Sequence, residues 1–316
     1  MKDPFGREIR YLRISVTDLC NLRCRYCMPA EGVCKKNHGA ILSFEEITEI
    51  AAAAVALGVR KIRLTGGEPL VRRGLPALCR ALTALPGLDE LTMTTNGVLL
   101  PQYAAELKAA GLTRVNISLD TLDPQTYRDI TRGGSLDDAF AGIRSAFTAG
   151  LTPVKLNAVL LGGVNDGEIP ALTALTRDYP IELRFIELMP IGAPVFGPEA
   201  YLPCSTVLER VPSLQPLAAE DGVAALYRLP GGKGRVGLIR PLSCGFCARC
   251  DRLRLTADGR LKPCLHSAEE IPVKGLHGDA LTDALRLAVA HKPAAHAPLS
   301  AERRSNAARG MDRIGG

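Results

Sequence analysis

Residues 61–70, KIRLTGGEPL, decide how the rest of the chain is interpreted. Their first five residues alternate polar and apolar side chains, which predicts a half-buried β-strand over Lys61–Thr65. Two glycines, Gly66 and Gly67, then end the strand, and a segment with helical periodicity follows near Leu75–Leu85. The segment therefore predicts one unit made of a strand, a glycine-rich turn and a helix.

The same unit recurs on both sides of this segment. Ser43 and Glu46 form a capping box that starts a helix over Ser43–Leu57. Further strands are predicted at Leu12–Val16, Glu90–Thr94, Arg114–Leu119, Val154–Leu160 and Ile181–Ile186, with helical segments between them. Six such repeats indicate an α/β fold with a parallel sheet and right-handed crossovers. Periodicity alone fits both an open doubly wound sheet and a full or partial (β/α) barrel, and both place functional groups at the carboxyl ends of strands.

The pattern changes after about residue 190. Pro190–Pro203 is rich in proline and glycine, and two hairpin signals follow at Gly231–Gly234 and Ala257–Arg260. A final helix near Ala280–Ala290 precedes a tail that we expect to be mobile unless it docks. The sequence therefore predicts two parts, residues 1–222 and an appended α+β module over residues 223–316.

The composition of the 316 residues, 47% hydrophobic and 23% charged, is that of a globular enzyme and excludes collagen-like or disordered chains. No apolar run is long enough to cross a bilayer, and the first residues do not resemble a signal peptide. We therefore expect a cytoplasmic protein that does not bind a membrane.

Charge is distributed unevenly between the two parts. Residues 1–222 contain 23 Lys and Arg against 25 Asp and Glu, whereas residues 223–316 contain 16 against 8. A basic C-terminal part suits an anionic small molecule, a nucleic acid or an acidic partner.

The ten cysteines predict metal or redox chemistry, because a reducing compartment does not favour disulfides. Cys20, Cys24 and Cys27 have the spacing C-x3-C-x2-C directly after the first strand. Three thiolates can hold an iron–sulfur cluster and leave one iron open to a ligand. The alternative is zinc, whose structural sites usually have four protein ligands.

A second group of cysteines lies in the C-terminal part. Cys247, Cys250 and Cys264 have the spacing C-x2-C-x13-C, and the turn at Asp258-Gly259 folds the third thiol back towards the first two. This group also predicts a cluster with an open iron. Cys244 lies close enough in sequence to supply a fourth thiolate, which would close the cluster or form a zinc site.

The first cysteine motif, with Tyr26 just before its last cysteine, resembles the signature of the radical S-adenosylmethionine (SAM) superfamily, and Gly66-Gly67-Glu68 resembles that superfamily's GGE motif. The resemblance implies a partial (β/α)6 TIM-type barrel and a [4Fe-4S] cluster whose open iron binds SAM. An electron from the cluster would then cleave SAM to a 5′-deoxyadenosyl radical. The glycines would let the backbone approach a ligand, and Glu68 could pair with the ligand's ammonium group.

Both cysteine groups, Arg252-x-Arg254 and the terminal Gly315-Gly316 together resemble the GTP 3′,8-cyclase family of molybdenum cofactor biosynthesis. The likeness runs from about Tyr11 to Gly316. It implies two [4Fe-4S] clusters, with the C-terminal module closing the barrel mouth. It also implies that GTP is converted to (8S)-3′,8-cyclo-7,8-dihydroguanosine 5′-triphosphate.

The resemblance assigns roles residue by residue. Cys20, Cys24 and Cys27 would hold the first cluster, and Cys247, Cys250 and Cys264 would hold the auxiliary cluster. The SAM contacts would be Tyr26, Gly66, Gly67, Glu68, Ser118 and Met189. The GTP contacts would be Arg13, Arg63, Thr94, Lys155, Arg184, Arg252 and Arg254. Arg252, Arg254, Gly315 and Gly316 would assist the radical step.

The resemblance also implies partners: an electron donor such as flavodoxin or ferredoxin, and cyclic pyranopterin monophosphate synthase as the recipient of the product. The chain would be a monomer or a homodimer. Two other interpretations are a radical SAM peptide modifier and a non-catalytic iron–sulfur or zinc protein that binds nucleic acid. No aromatic residues are interleaved with the basic ones in the basic region, so nucleic-acid binding is not expected.

Overall fold

The structure, a computed structural model, describes residues 1–34, 36–192, 196–218 and 222–315. Six strand and helix units follow one another in its first part. The strands are β1 (Tyr11–Ser15), β2 (Lys61–Thr65), β3 (Glu90–Thr95), β4 (Arg114–Ser118), β5 (Lys155–Leu160) and β6 (Glu182–Glu187). The helices are α1 (Phe44–Ala56), α2 (Leu75–Thr83), α3 (Leu100–Ala109), α4 (Pro124–Thr131), α5 (Leu136–Thr148) and α6 (Ile169–Asp178).

The described chain after β6 begins with a short helix, α7 (Ser205–Arg210), and continues across the predicted boundary at residue 222 with short strands and two further helices. Its strands are β7 (Gln215–Pro216), β8 (Ala225–Arg228), β9 (Arg235–Ile239), β10 (Arg252–Leu255), β11 (Arg260–Lys262) and β12 (Ile271–Pro272). Its helices are α8 (Gly278–Ala290) and α9 (Met311–Ile314). Each helix in the described ranges is too short or too polar to cross a bilayer.

All these strands belong to one open sheet with the order β12-β11-β10-β1-β2-β3-β4-β5-β6-β9-β8-β7. Strands β1 to β6 are parallel and adjacent in chain order, which confirms the predicted partial barrel. The predicted hairpins are also present, as the antiparallel pairs β8-β9 and β10-β11. The sequence did not indicate that β10 would pair in parallel with β1, and β9 with β6, so that the C-terminal part extends the barrel sheet on both sides.

The inner face of this sheet is polar. Side chains alternate between the two faces of a strand, and the outer apolar residues pack against helices such as α1, whose Ser43–Glu46 capping box is formed as predicted. Buried charged and amide side chains occur on neighbouring strands: Arg13, Arg63, Asn116, Lys155 and Arg254. Buried polar groups of this kind need partners, so the interior of the barrel is suited to a polar ligand.

Candidate functional site

The first cysteine group lies on the loop that follows β1, at the carboxyl end of the sheet. Cys20, Cys24 and Cys27 are all free and partly exposed. The amide of Leu22 donates to Cys20 Sγ at 3.4 Å, and Asn96 Nδ2 lies 3.9 Å from the same sulfur. Burial raises the pKa of Cys20 to about 11 and that of Cys24 well above its usual range. Without a cation nearby these thiols therefore stay protonated, and a bound metal would stabilise their thiolate forms.

Gly66 and Gly67 allow the β2 turn to contact the cysteine loop. A Cβ at Gly66 would lie 2.6 Å from the carbonyl oxygen of Thr17, and one at Gly67 would lie 2.7 Å from that of Asp18. The amide of Gly67 donates to Thr17 O at 2.8 Å. The close approach seen in the structure is thus between two protein loops, and it holds the cysteine loop in place.

Glu68 connects the same turn to the end of β3. Its Oε1 accepts hydrogen bonds from Leu70 N at 3.0 Å and Thr95 Oγ1 at 2.8 Å, and its Oε2 accepts one from Asn96 N at 2.7 Å. Burial raises its pKa to about 7. A carboxylate has about four acceptor positions, so one remains on Oε2 for a ligand such as an ammonium group.

Tyr26 connects the cysteine loop to β4 and β5. Its hydroxyl donates to Asp120 Oδ2 at 2.7 Å, and Asp120 Oδ1 accepts from the amide of Val159 at 2.8 Å. Burial raises the pKa of Asp120 to about 6. The sequence placed Asp120 at a strand end near Ser118, which is partly exposed at the end of β4, but did not indicate this contact with Tyr26.

Two cavities meet beside this loop. A cavity of about 380 Å³ is lined by Tyr26, Met189, the 196–201 segment and tail residues that include Arg304. A second, of about 480 Å³, extends into the barrel and also contacts Met189. Met189 therefore lies at the boundary between them. Of the predicted SAM contacts, Tyr26 and Met189 line the smaller cavity, whereas Gly66, Gly67, Glu68 and Ser118 are not part of its lining.

The larger cavity contains six of the seven residues predicted to bind GTP: Arg13, Arg63, Lys155, Arg184, Arg252 and Arg254. Thr94 does not line it directly, but its hydroxyl lies 3.5 Å from Arg63 Nη1. The strand register brings three of the arginines side by side, because Arg13 on β1 is the partner of both Arg254 on β10 and Arg63 on β2. Burial lowers the pKa of Arg13 and Arg63 to about 9, so both are cationic at neutral pH.

Two buried polar atoms in this cavity are positioned to form hydrogen bonds with a ligand. Asn157 Oδ1 and Arg252 Nε are buried and have no hydrogen-bond partner in the described part of the chain. Buried polar atoms are normally satisfied, and adjacent like charges repel unless an anion lies between them. A polyanion with additional hydrogen-bonding groups would satisfy both requirements.

The floor of the cavity carries further charged residues. Glu182 accepts from Lys155 Nζ at 2.8 Å and Arg235 Nε at 2.7 Å, and it also pairs with Arg184. Burial alone would raise the pKa of Glu182, but Arg184 and Lys155 outweigh it and lower the pKa to about 2. The sequence analysis did not single out Glu182. The sequence did contain a signal for a charged end of the cavity, because strands β2 to β6, β9 and β10 each begin with a charged residue. These residues are Lys61, Glu90, Arg114, Lys155, Glu182, Arg235 and Arg252.

The second cysteine group flanks the same cavity, since Phe246 and Leu265, neighbours of Cys247 and Cys264, line it. Cys247, Cys250 and Cys264 are partly exposed, and Cys244 is exposed. Buried Lys292 donates to Arg252 O at 2.7 Å and Pro263 O at 3.0 Å, and it lies 3.5 Å from Cys250 Sγ. Burial opposes ionisation of Cys250, but Lys292 and other donors outweigh burial and lower its pKa.

The arrangement of the cysteines bears on the kind of metal centre that they could hold. Among the residues that the structure describes, no three His, Cys, Asp or Glu side chains converge on one metal ion. A cubane cluster has a separate iron for each thiolate, so its ligands do not converge on one point.

The C-terminal tail reaches the barrel. The carbonyl of Gly315 accepts from Arg254 Nη1 at 2.5 Å, and a Cβ at Gly315 would lie 3.2 Å from that of Ser15 and clash with Thr65. Gly315 also has a positive φ of 81°, which favours glycine. Gly316, the other predicted tail residue, lies outside the described residues.

The comparisons with known proteins agree with this arrangement. Residues 14–175 match a family model described as the radical SAM superfamily, and residues 181–298 match one described as Molybdenum Cofactor Synthesis C. A protein from Alkaliphilus oremlandii named GTP 3′,8-cyclase is 50% identical over 100% of both chains. One of the same name from Peptoclostridium acidaminophilum is 52% identical over 99% of this chain and 98% of its own.

Among solved structures, Streptococcus suis SuiB bound to S-adenosylmethionine is similar with a TM-score of 0.62, covering 89% of this chain and 68% of that chain. Its sequence identity is 16%, so this likeness supports the fold alone.

Proposed function

Since the chain belongs to the GTP 3′,8-cyclase family of the radical SAM superfamily, we propose that it converts GTP to (8S)-3′,8-cyclo-7,8-dihydroguanosine 5′-triphosphate. This is the first step of molybdenum cofactor biosynthesis, and it depends on SAM and two [4Fe-4S] clusters. The larger, basic cavity is the observation that carries the proposal. Its wall includes residues beside the second cysteine group, and Met189 separates it from the smaller cavity that Tyr26 lines.

The first cysteine group holds the cluster that binds SAM, with Cys20, Cys24 and Cys27 as its ligands. When bound, this cluster and SAM supply a 5′-deoxyadenosyl radical. Tyr26, Gly67, Ser118 and Met189 orient SAM, and Glu68 accepts a hydrogen bond from its ammonium group through the acceptor position left on Oε2. Gly66 keeps the turn close to the cysteine loop.

The basic cavity binds GTP. A triphosphate carries about four negative charges, and arginines engage it through charge-assisted hydrogen bonds. Arg13, Arg63, Lys155 and Arg184 bind the phosphates, and Thr94 orients Arg63. In the reaction the ribose C3′ gives one hydrogen atom to the deoxyadenosyl radical and bonds to guanine C8. One electron, supplied by the electron donor, and one proton then reduce the radical left on guanine N7 to the 7,8-dihydro product. The protein's part is to hold these two carbons close together and to exclude water.

The auxiliary site completes the cavity. Cys247, Cys250 and Cys264 would hold the second cluster beside this cavity, and Arg252 and Arg254 bind the nucleotide there. Gly315 and Gly316 enter from the tail and support the radical step. In this proposal residues 1–222 bind SAM, and residues 223–316 supply the second cluster.

The proposal includes partners. An acidic electron donor such as flavodoxin or ferredoxin would dock where the first cysteine loop reaches the surface, since Arg23 is exposed there and Arg25 and Arg132 lie nearby. The product would pass to cyclic pyranopterin monophosphate synthase. The protein would act in the cytoplasm as a monomer or a homodimer.

Anaerobic reconstitution followed by incubation with SAM, reductant and GTP tests the proposal. We expect about eight iron and eight sulfide per chain, together with deoxyadenosine and a cyclised nucleotide. A matched Arg254→Ala variant should still cleave SAM while its KM for GTP rises. Cleavage of SAM without consumption of GTP would disprove the cyclase, and four iron with one zinc would disprove the auxiliary cluster.

A further inference from the structure

Arg309 is the most strongly paired residue of the C-terminal tail. Its side chain is 16% exposed. Its Nη1 donates to both carboxylate oxygens of Asp258, at 2.9 and 2.8 Å. Its Nε and Nη2 donate to Glu270 Oε2 at 3.0 and 2.7 Å. Two carboxylates thus use both sides of the guanidinium, a geometry that a lysine cannot reproduce.

Asp258, one partner of Arg309, links the tail to segments that surround the active site. Asp258 lies in the turn between β10 and β11, next to the strand that carries Arg252 and Arg254. It also pairs with Lys36 at 3.2 Å, and Lys36 pairs with Asp18 at 2.7 Å on the loop that carries Cys20. Arg309 therefore connects the tail to the β10-β11 hairpin directly, and to the first cysteine loop through two further ion pairs.

The segment after Arg309 lines the active site. Met311 contacts the larger cavity, and Gly315 lies against Ser15 and Arg254. Residues 301, 302 and 304, which precede Arg309, form a wall of the smaller cavity. Ordering a chain terminus costs conformational entropy at every residue, and α9 has only four residues. An anchor that precedes the tip would offset part of this cost.

We propose that Arg309, together with Asp258 and Glu270, is the clasp that holds the C-terminal segment in the barrel mouth. Arg309 is a positioning residue: it closes both cavities to water by fixing residues 301–315, so that SAM cleavage stays coupled to cyclisation. The coupling part of this inference rests on the proposed function. The docking part does not, because it concerns only the position of the tail.

The experiment compares three variants of the reconstituted full chain under anaerobic conditions. Arg309→Ala removes the clasp. Arg309→Lys keeps the positive charge but lacks the guanidinium that binds Asp258 and Glu270 at the same time. Arg303→Ala is the matched control, because Arg303 is an exposed arginine of the same tail. Two quantities are measured: hydrogen exchange of the amides of residues 311–315, and the amount of deoxyadenosine formed per cyclised nucleotide.

With Arg309→Ala we expect exchange at the amides of Arg313 and Gly315, which are hydrogen-bonded in the docked tail, to rise about tenfold or more. Deoxyadenosine formed per cyclised nucleotide should rise by a similar factor. Arg309→Lys should lie between wild type and Arg309→Ala, and Arg303→Ala should match wild type. A change that merely lowered stability would reduce both products together and leave their ratio unchanged.

Unchanged exchange in Arg309→Ala would overturn the clasp, and faster exchange with an unchanged ratio would overturn the coupling. If Arg309→Ala does not fold, Arg309→Lys yields the same two measurements. If wild type forms no cyclised nucleotide, the proposed function fails, whereas the exchange data still test the clasp.

Discussion

The two cysteine groups have the same kind of ligand, but one cysteine of each, Cys27 and Cys250, differs in the charge of its neighbours. Cys27 lies near Asp120 and Asp312, and burial together with these carboxyl groups raises its pKa. Cys250 lies beside Lys292 and Arg252, which lower its pKa in spite of burial. Three thiols in a sequence therefore do not define the properties of a site, because the neighbours set its charge.

This difference matches the ligands that the proposed function assigns to the two sites. SAM carries a positive sulfonium and an ammonium group, so carboxylates such as Glu68 and Asp120 suit it. GTP is a polyanion, and the second group adjoins the basic cavity. The neighbours of Cys27 and of Cys250 thus differ in charge in the same sense as the two molecules, and the four predictions that follow test this division.

The largest effect should come from removing one thiol at each site. Cys24→Ser should lower both deoxyadenosine and cyclised nucleotide by more than about a hundredfold, because loss of a ligand exceeds the 10–100-fold cost of losing an outer contact. Cys250→Ser should abolish cyclisation but keep SAM cleavage. Both products and the iron content are measured in parallel, and loss of SAM cleavage in Cys250→Ser would contradict the division of roles.

The next effect concerns the carboxylate beside the first site. Burial raises the pKa of Glu68 from 4.5 to about 7, so its contribution to the free energy of unfolding is complete below pH 4.5 and lost as pH rises through 7. The contribution is about 3 kcal/mol, from about 1.36 kcal/mol per pKa unit.

The Glu68→Gln variant has no ionisable carboxyl group at this position. Urea unfolding of both apoproteins at pH 4.5 and 8 should therefore show that the stability difference between wild type and variant changes by that amount. A difference that is independent of pH would show that Glu68 ionises normally. Asp123→Asn, at an exposed helix cap, is the control for a carboxylate without a raised pKa.

A smaller effect is expected at the second site. Lys292→Met removes a positive charge beside Cys250, which should make the auxiliary cluster harder to reduce. The reduction potential should fall by about 60 mV, which corresponds to a tenfold change for a one-electron couple. Potentiometric titration followed by electron paramagnetic resonance measures both clusters.

The first cluster should keep its potential in Lys292→Met. Lys274→Met is the control, since Lys274 donates to Gly39 O and Ile41 O in the other part of the chain. An equal shift at both clusters would show a general charge effect and not a local one.

Cys244→Ser should have the smallest effect. Cys244 is exposed, and substitutions at such positions usually change stability by less than about 0.5 kcal/mol. Iron content and product formation should equal those of wild type. Loss of about four iron would instead identify Cys244 as a fourth ligand and would remove the similarity between the two sites.

Much of the barrel was predictable from the sequence. Lys61–Thr65 is a strand with the predicted bounds, and the Ser43–Glu46 capping box starts α1. Both depend on residues close together in the chain. The mutual position of Arg13, Arg63 and Arg254 was not predictable, because Arg254 lies on a strand near the other end of the chain that joins the sheet beside β1.

The sequence by itself determined the strand and helix repeats, the two cysteine spacings and the family resemblance, since each depends on local periodicity or fixed spacing. Only the tertiary structure decided that β9 and β10 extend the sheet on both sides, that Glu182 lies among three cations and that Lys292 lies beside Cys250. The physical reason is that charge interactions and strand pairing depend on distances in space. Residues far apart in the chain acquire these distances only when the whole sheet forms.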